Sequence, residues 1–372
     1  MSTVGIVFSN LNDGNVSELT EVRTMGSVPF GGRYRMIDFV LSNMVNSGIT
    51  KVGVITKTNY QSLMDHLGSG KDWDLARKNG GLILLPPFGA KGTDRLYTSR
   101  LEALKGALGF ISRSKEEYVI MSDCDVVYNI DFAKLIEFHE SKMSDITLVY
   151  HKKYVSHEES KKVTAISLDK DQRVNGVSVN PYKEGEINQY IKVLVMKRQL
   201  LLQVVGDAIS HGKDDFIHDV INASLSNLSI YGYEYEGYYA SITSLEAYYK
   251  ANMDVLKQEE RDALFNIPNR AIHTKVKDSP PTMYGDDCTV KNSFIADGCV
   301  IEGTIENSII FRGARVGKGA VIRNCIVMQD NIIGANTNLN AVITDKNVVI
   351  RDKVVLSGHE TMPFYIRKGR IV

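Results

Sequence analysis

The chain has 372 residues, 43% hydrophobic and 24% charged, with 44 Lys plus Arg against 44 Asp plus Glu. That length exceeds one ordinary core and predicts two domains. A formal net charge of zero leaves no electrostatic footprint for a nucleic acid or an anionic membrane surface. The N-terminus carries no basic segment followed by an apolar one, and no long apolar run occurs. Cys124, Cys288, Cys299 and Cys325 are scattered without a CxxC pair, which argues against metal cages and disulfide frameworks and fits a reducing cytoplasm.

Strand and helix patterns alternate from the start. Thr3–Phe8 is nearly continuously apolar and reads as a strand buried on both faces. Ile37–Val45 has helical spacing and ends at Asn46-Ser-Gly48, a helix stop. Lys51–Thr56 is the next strand, Leu101–Ile111 a helix, and Tyr118–Ser122 a buried strand running into Asp123-Cys-Asp125. Phe132–Lys142 is again helical and Ile146–Tyr150 again a strand. The alternation predicts a mostly parallel sheet with helices on both faces. Ligands of such sheets sit beyond the carboxyl ends of the strands, which points to Ser9–Val16 and Asp123–Asp125.

The pattern then changes. Ile310, Val316 and Ile322 are six apart, as are Val327, Ile333 and Leu339. A small residue follows four positions after several apolar ones: Cys299 after Ile295, Ala314 after Ile310, Ala320 after Val316, Thr337 after Ile333. A period of six suits neither a helix nor a flat sheet. It favours a triangular parallel β-helix over an irregular β-sandwich, with slips such as that between Ile301 and Ile305. An uncovered solenoid flank tends to associate, so oligomerisation is expected.

Several segments in order carry a resemblance. Pro29-Phe-Gly-Gly-Arg-Tyr-Arg-Met-Ile-Asp-Phe-Val-Leu-Ser-Asn43, His66-Leu-Gly-Ser-Gly-Lys-Asp-Trp-Asp-Leu75, Asp125–Asp131, Leu245–Asn252 and Lys277–Thr282 resemble the glucose-1-phosphate adenylyltransferase (ADP-glucose pyrophosphorylase) family along essentially the whole chain. The resemblance implies a Rossmann-like nucleotide-diphospho-sugar transferase domain over residues 1–256, a linker over 257–283 and a left-handed β-helix over 284–372. It also implies a reaction in which ATP and glucose 1-phosphate give ADP-glucose and pyrophosphate, with Mg2+ in the active complex.

Two polyanions must meet in that reaction, so its site needs a glycine-rich loop, cations and a metal. Here the family's GGxGTRL loop is replaced by Ser9–Val16, its glycines falling on Asn10, Leu11 and Asp13 and its arginine on Asn15. The loop lysine falls on Met25, the sugar-phosphate lysine on Asn180, and a nucleotide-side Gly-Thr on Ser99-Arg100. Asp125 matches the first metal-binding aspartate, whereas the second falls on Ser241. One carboxylate is a poor anchor for magnesium, so this chain is expected to hold none tightly, and Asp125 has the alternative of capping the next helix. Tyr97 and Asp219 match substrate-side positions, and Asp219 is preceded by His218 in place of a lysine.

Arg23, Arg33 and Arg35 gather near Gly31-Gly32; Arg23 and Arg35 match effector-contact positions, so the three are candidates for binding a phosphorylated metabolite. Solvated or salt-bridged surface arginines are the competing reading. Loss of phosphate loop, lysines and metal carboxylate together implies the family's GlgD-type regulatory member, which works in a hetero-oligomer, a tetramer by expectation, with a catalytic GlgC-type subunit. The alternatives are an active nucleotidyltransferase with a rebuilt loop and a stand-alone sugar-nucleotide binding protein.

Overall fold

The computed structural model describes residues 2–11, 13–87 and 96–372. The Thr3–Phe8 strand lies at the centre, parallel to Lys51–Ile55 on one side and Tyr118–Asp123 on the other, with Gly81–Leu85 continuing the parallel run. Val4, Ile6 and Phe8 enter one apolar core and Val7 another, which is why the strand is apolar throughout rather than alternating.

Beyond Tyr118–Asp123 the sheet departs from the expected parallel order. Gly185–Lys197 runs antiparallel to both Tyr118–Asp123 and Ile146–Val155, so the sheet is mixed. The cause is connectivity: the intervening chain makes an antiparallel extension, Thr164–Leu168 with Val174–Val179, in place of a helical crossover. The helix Met36–Asn46 begins where Asp38 accepts the Arg35 amide at 2.9 Å and ends at Gly48 with φ of +77°. Gly31 and Gly32, both at positive φ, form the turn just before it, between Pro29–Phe30 and Tyr34–Arg35.

From Met283 onward the chain forms the β-helix, whose short strands stack in parallel into three sheets of five among the described residues. Ile310, Val316, Ile322, Val327, Ile333 and Leu339, the residues of the six-residue repeat, all point inward and are buried. In the later coils partners lie seventeen residues apart (Ile305 beside Ile322, Ile322 beside Leu339, Leu339 beside Leu356), so one side of each triangle is a residue short of six. The first coil is shorter still, with Val290 beside Ile305 and Ile301 beside Val316, and the four-residue step from Ile301 to Ile305 is a tightened corner. Corners turn at left-handed residues, among them the asparagines Asn292, Asn307 and Asn324 and the glycines Gly298, Gly313 and Gly319, which tolerate that backbone. Asn292 donates to Asn307 at 2.8 Å and Asn324 to Asn340 at 3.0 Å, so the corners also bond from coil to coil.

One β-helix sheet faces the α/β domain. Its outward Ile309, Ile326 and Ile343, with Phe311 and Met328, share a buried cluster with Leu19, Met25, Phe30, Phe39 and Tyr248. Tyr249 adds a hydrogen bond to the Asn324 carbonyl at 2.7 Å. Substituting a fully buried isoleucine here by alanine removes contacts from both domains, at about 2–5 kcal/mol by the usual range for such cavities. Ile326→Ala is therefore expected to lower the thermal midpoint by several degrees, whereas Ile332→Ala, on an outward and half-exposed face, should barely move it. Equal shifts for the two in a melting experiment would contradict the docking described.

Candidate cleft and interdomain basic cluster

The cleft is built at the ends of two neighbouring strands. Phe8 pairs with Asp123, and the Cys124 amide donates to the Phe8 carbonyl at 3.1 Å, so Ser9-Asn10 and Asp123–Asp125 leave the sheet side by side. Val126–Tyr128 then pairs antiparallel with Tyr239–Ser241, and the Ile242 amide donates to the Asp125 carbonyl at 2.7 Å. Ser241 therefore stands beside Asp125 along the backbone, bringing together two positions 116 residues apart in the chain.

Both strand-end carboxylates are engaged from within. Arg100 Nη2 donates to Asp123 Oδ1 at 2.7 Å, and the guanidinium lies 4.8 Å from the centre of the Phe8 ring. Arg100 opens the helix Arg100–Arg113, whose start is capped by Ser99 Oγ accepting from the Glu102 amide. Asp125 Oδ2 is ion-paired with Lys192 Nζ, the aspartate being 2% and the lysine 25% exposed. Lys192 has φ of +63° and sits where pairing with Ile146–Val155 breaks: Tyr190 faces Tyr150 and Leu194 faces Leu148, so four residues span what two do opposite. Burial pushes the Asp123 carboxyl up, against the pull of Arg100, and Asp125 adds to the rise.

The loop after the first strand closes the other wall; Asn12 of that loop lies outside the described residues. Asp13 Oδ1 accepts the Met25 amide at 2.9 Å, so the position of the expected phosphate lysine holds a buried methionine whose backbone positions an acid. Burial raises the Asp13 carboxyl to about 7 against the Met25 amide, Lys57 and Asn10. Tyr97 donates to Asn10 Oδ1 at 3.2 Å and lies under Lys57 Nζ at 5.6 Å, so Tyr97 joins this wall. Leu11 packs against the core instead of leaving room for a phosphate.

A divalent cation does not fit this donor set. Among the described residues no three His, Cys, Asp or Glu side chains are grouped to hold one, Asp125 already faces an ammonium, and Ser241 offers a neutral hydroxyl.

The three arginines of the expected basic cluster are divided. Arg23 is 2% exposed, and its Nη2 donates to both carboxylate oxygens of Asp345 of the β-helix, at 2.8 and 2.9 Å. Tyr365 joins it, its hydroxyl lying 2.7 Å from the Glu18 carbonyl oxygen and 3.0 Å from Asp345 Oδ2, with its one proton available to either acceptor. Arg35 donates to the Ser62 carbonyl at 2.6 Å and hydroxyl at 3.0 Å, and burial lowers its guanidinium to about 10. Lys346 lies in the field of Arg35 and Arg23, and burial together with these cations lowers its ammonium to about 7. Arg33 is not in this group: it belongs to the glycine turn, lies over the Tyr34 ring and lines a separate groove with Arg261 and Phe265. Asp219 is also apart, held within its own turn by His218 and by the Asp215 and Asp214 amides, which together hold its carboxyl down to about 2. Asn180 sits at left-handed φ with its amide on the Val163 carbonyl.

Lys192, Lys57, Asp345 and Lys346 escaped the sequence reading. Only Lys192 left a signal, a lone charge inside the apolar run Tyr190–Met196.

The nucleotidyl transferase model matches residues 15–258, and the GlmU-like C-terminal hexapeptide model matches residues 281–361. The glycogen biosynthesis protein GlgD of Geobacillus stearothermophilus is 38% identical over 99% of this chain and 96% of its own length. The protein of the same name from Bacillus subtilis (strain 168) is 34% identical over the same shares. The chain belongs to the GlgD-type branch of the glucose-1-phosphate adenylyltransferase family. The glucose-1-phosphate adenylyltransferase of Clostridium perfringens (strain 13 / Type A) is 29% identical over 89% of this chain and 84% of its own length. No helix among the described residues is long and apolar enough to cross a membrane.

In this GlgD-type chain Asp13 gives a pH signature. Its carboxyl ionises near 3.8 when unfolded and near 7 when folded, so the folded state keeps a proton the unfolded chain loses. Stability from this group is complete below the lower value and is lost as pH rises through the higher one. Asp13→Asn should therefore raise the melting temperature at about pH 8 and leave it nearly unchanged at about pH 4. A shift of equal size at both pH values would show that burial does not hold this proton.

Proposed function

We propose that this chain acts in glycogen biosynthesis as a regulatory, catalytically impaired subunit of glucose-1-phosphate adenylyltransferase, paired with a catalytic subunit in a hetero-oligomer. The observation that carries the reading is the internal neutralisation of the cleft: Asp123 by Arg100 and Asp125 by Lys192. Adenylyl transfer needs cations aimed at the phosphates, and these two are committed to the chain's own carboxylates. Each missing phosphate or metal contact lowers such a rate by about 10²–10³, so the combined losses leave little turnover. The names of the GlgD relatives support a place in glycogen biosynthesis, and the adenylyltransferase relatives support the partner.

Regulation fits the domain junction better than the cleft. Arg35 and Lys346 come from different domains; Asp38 and Asp345 lie in their fields, but among the described residues neither is ion-paired at contact distance as Arg23 is with Asp345. A phosphorylated metabolite bound there would bridge the domains; Arg23 would hold the frame.

The purified chain is expected to show no appreciable ADP-glucose synthesis or pyrophosphorolysis, while adding it to the catalytic subunit changes that subunit's rate or effector response. With Arg35→Ala in the mixture, the response to inorganic phosphate should weaken several-fold while the basal rate stays. Ordinary family rates from the chain alone would contradict the reading.

A further inference from the structure

The residue facing Asp125 has an unusual backbone for its place in the sheet. Lysine at a φ of +63° is a backbone state that L side chains avoid, and it occurs within a strand whose flanking residues keep regular pairing. The same break also supplies Tyr190, which is 4% exposed and lies in the field of Arg100. One irregularity thus stands beside both ion pairs: Tyr190 lies in the field of the cation on Asp123, and Lys192 is itself the cation on Asp125. Strain of this kind persists where the surroundings over-determine it, and here they do so to deliver an ammonium to a 2% exposed carboxylate.

From this geometry we infer that Lys192 Nζ is the cleft's resident cation, occupying the place beside Asp125 and Ser241 that a divalent metal would need, and that the cleft therefore works without one. The inference rests on reading the cleft as catalytically impaired, and it names the group responsible. Ser241 alone does not account for it, because a second carboxylate introduced there would still meet the lysine. A metal ion placed against Asp125 would have to displace a bound ammonium and bear its repulsion at contact distance.

The test is Mn2+ binding to the purified full chain, followed by electron paramagnetic resonance, in a matched set of variants. Ser241→Asp adds the second carboxylate while Lys192 stays. Lys192→Gly with Ser241→Asp adds the carboxylate and removes the cation, and glycine adopts the left-handed backbone at no steric cost. The double variant is expected to bind one Mn2+ at least about tenfold more tightly than Ser241→Asp alone, and a further Asp125→Asn should abolish the gain. Should glycine lower the melting temperature and loosen the strand, Lys192→Asn in the same background keeps the left-handed backbone and gives the same comparison. Equal binding by Ser241→Asp and the double variant would overturn the inference, because the lysine would then not be what excludes the ion. A folded double variant that gains no Mn2+ would overturn it equally, since Lys192 would not occupy a metal position. Neither outcome depends on turnover, so the subunit's regulatory role stands or falls separately in the mixing assay.

Discussion

Two aspartates at the end of a buried central strand need positive charge beside them, and much of this chain's character follows from where that charge comes from. In a cleft built for phosphates and a metal, the ligands themselves supply part of it. Here Arg100 and Lys192 supply it permanently. Buried ion pairs gain little net stability over apolar packing, but either aspartate without its partner would be a serious cost. The strained backbone at Lys192 is the counterpart of that constraint: the sheet gives up regular pairing so that a lysine can reach Asp125.

The opposite wall follows the same logic. Asp13, where the resemblance implies a loop glycine, accepts the amide of Met25, where it implies a cation, so a carboxyl holds the backbone of the segment that carries Arg23. That segment runs from the cleft to the β-helix, where Arg23 is locked on Asp345 with Tyr365 alongside. The cleft and the domain junction are thus joined by about a dozen residues, of which Val16, Leu19 and Met25 share a cluster with Phe30, Phe39 and the outward isoleucines of the β-helix. A ligand that alters the junction has a short, covalently continuous path to the cleft.

Sequence pattern revealed the two architectures for a clear reason. Burial on both faces makes a strand continuously apolar, as in Thr3–Phe8, and coil geometry imposes a period near six, as from Ile310 to Ile322. Local period did not reveal the antiparallel return of Gly185–Lys197, because strand direction depends on the connection, not on the strand. The departures from the family pattern at Asn10, Asp13, Met25 and Ser241 were legible in the sequence. The ion pair on Asp125 was not, because Lys192 acquires its meaning only through a break in pairing and a contact 67 residues away. The division of the arginines was hidden for a related reason: Arg23, Arg33 and Arg35 are close in sequence, but one is claimed by a distant aspartate and one by a turn.

The central claim is that the cleft's charges are satisfied from within the chain. Its most direct measurement is calorimetric titration of the purified chain with ATP, with magnesium present and with magnesium removed by chelation. The account predicts no magnesium-dependent binding, the two titrations being superimposable. ATP binding that appears only with magnesium would contradict it, for it would require a metal to enter the position assigned to Lys192.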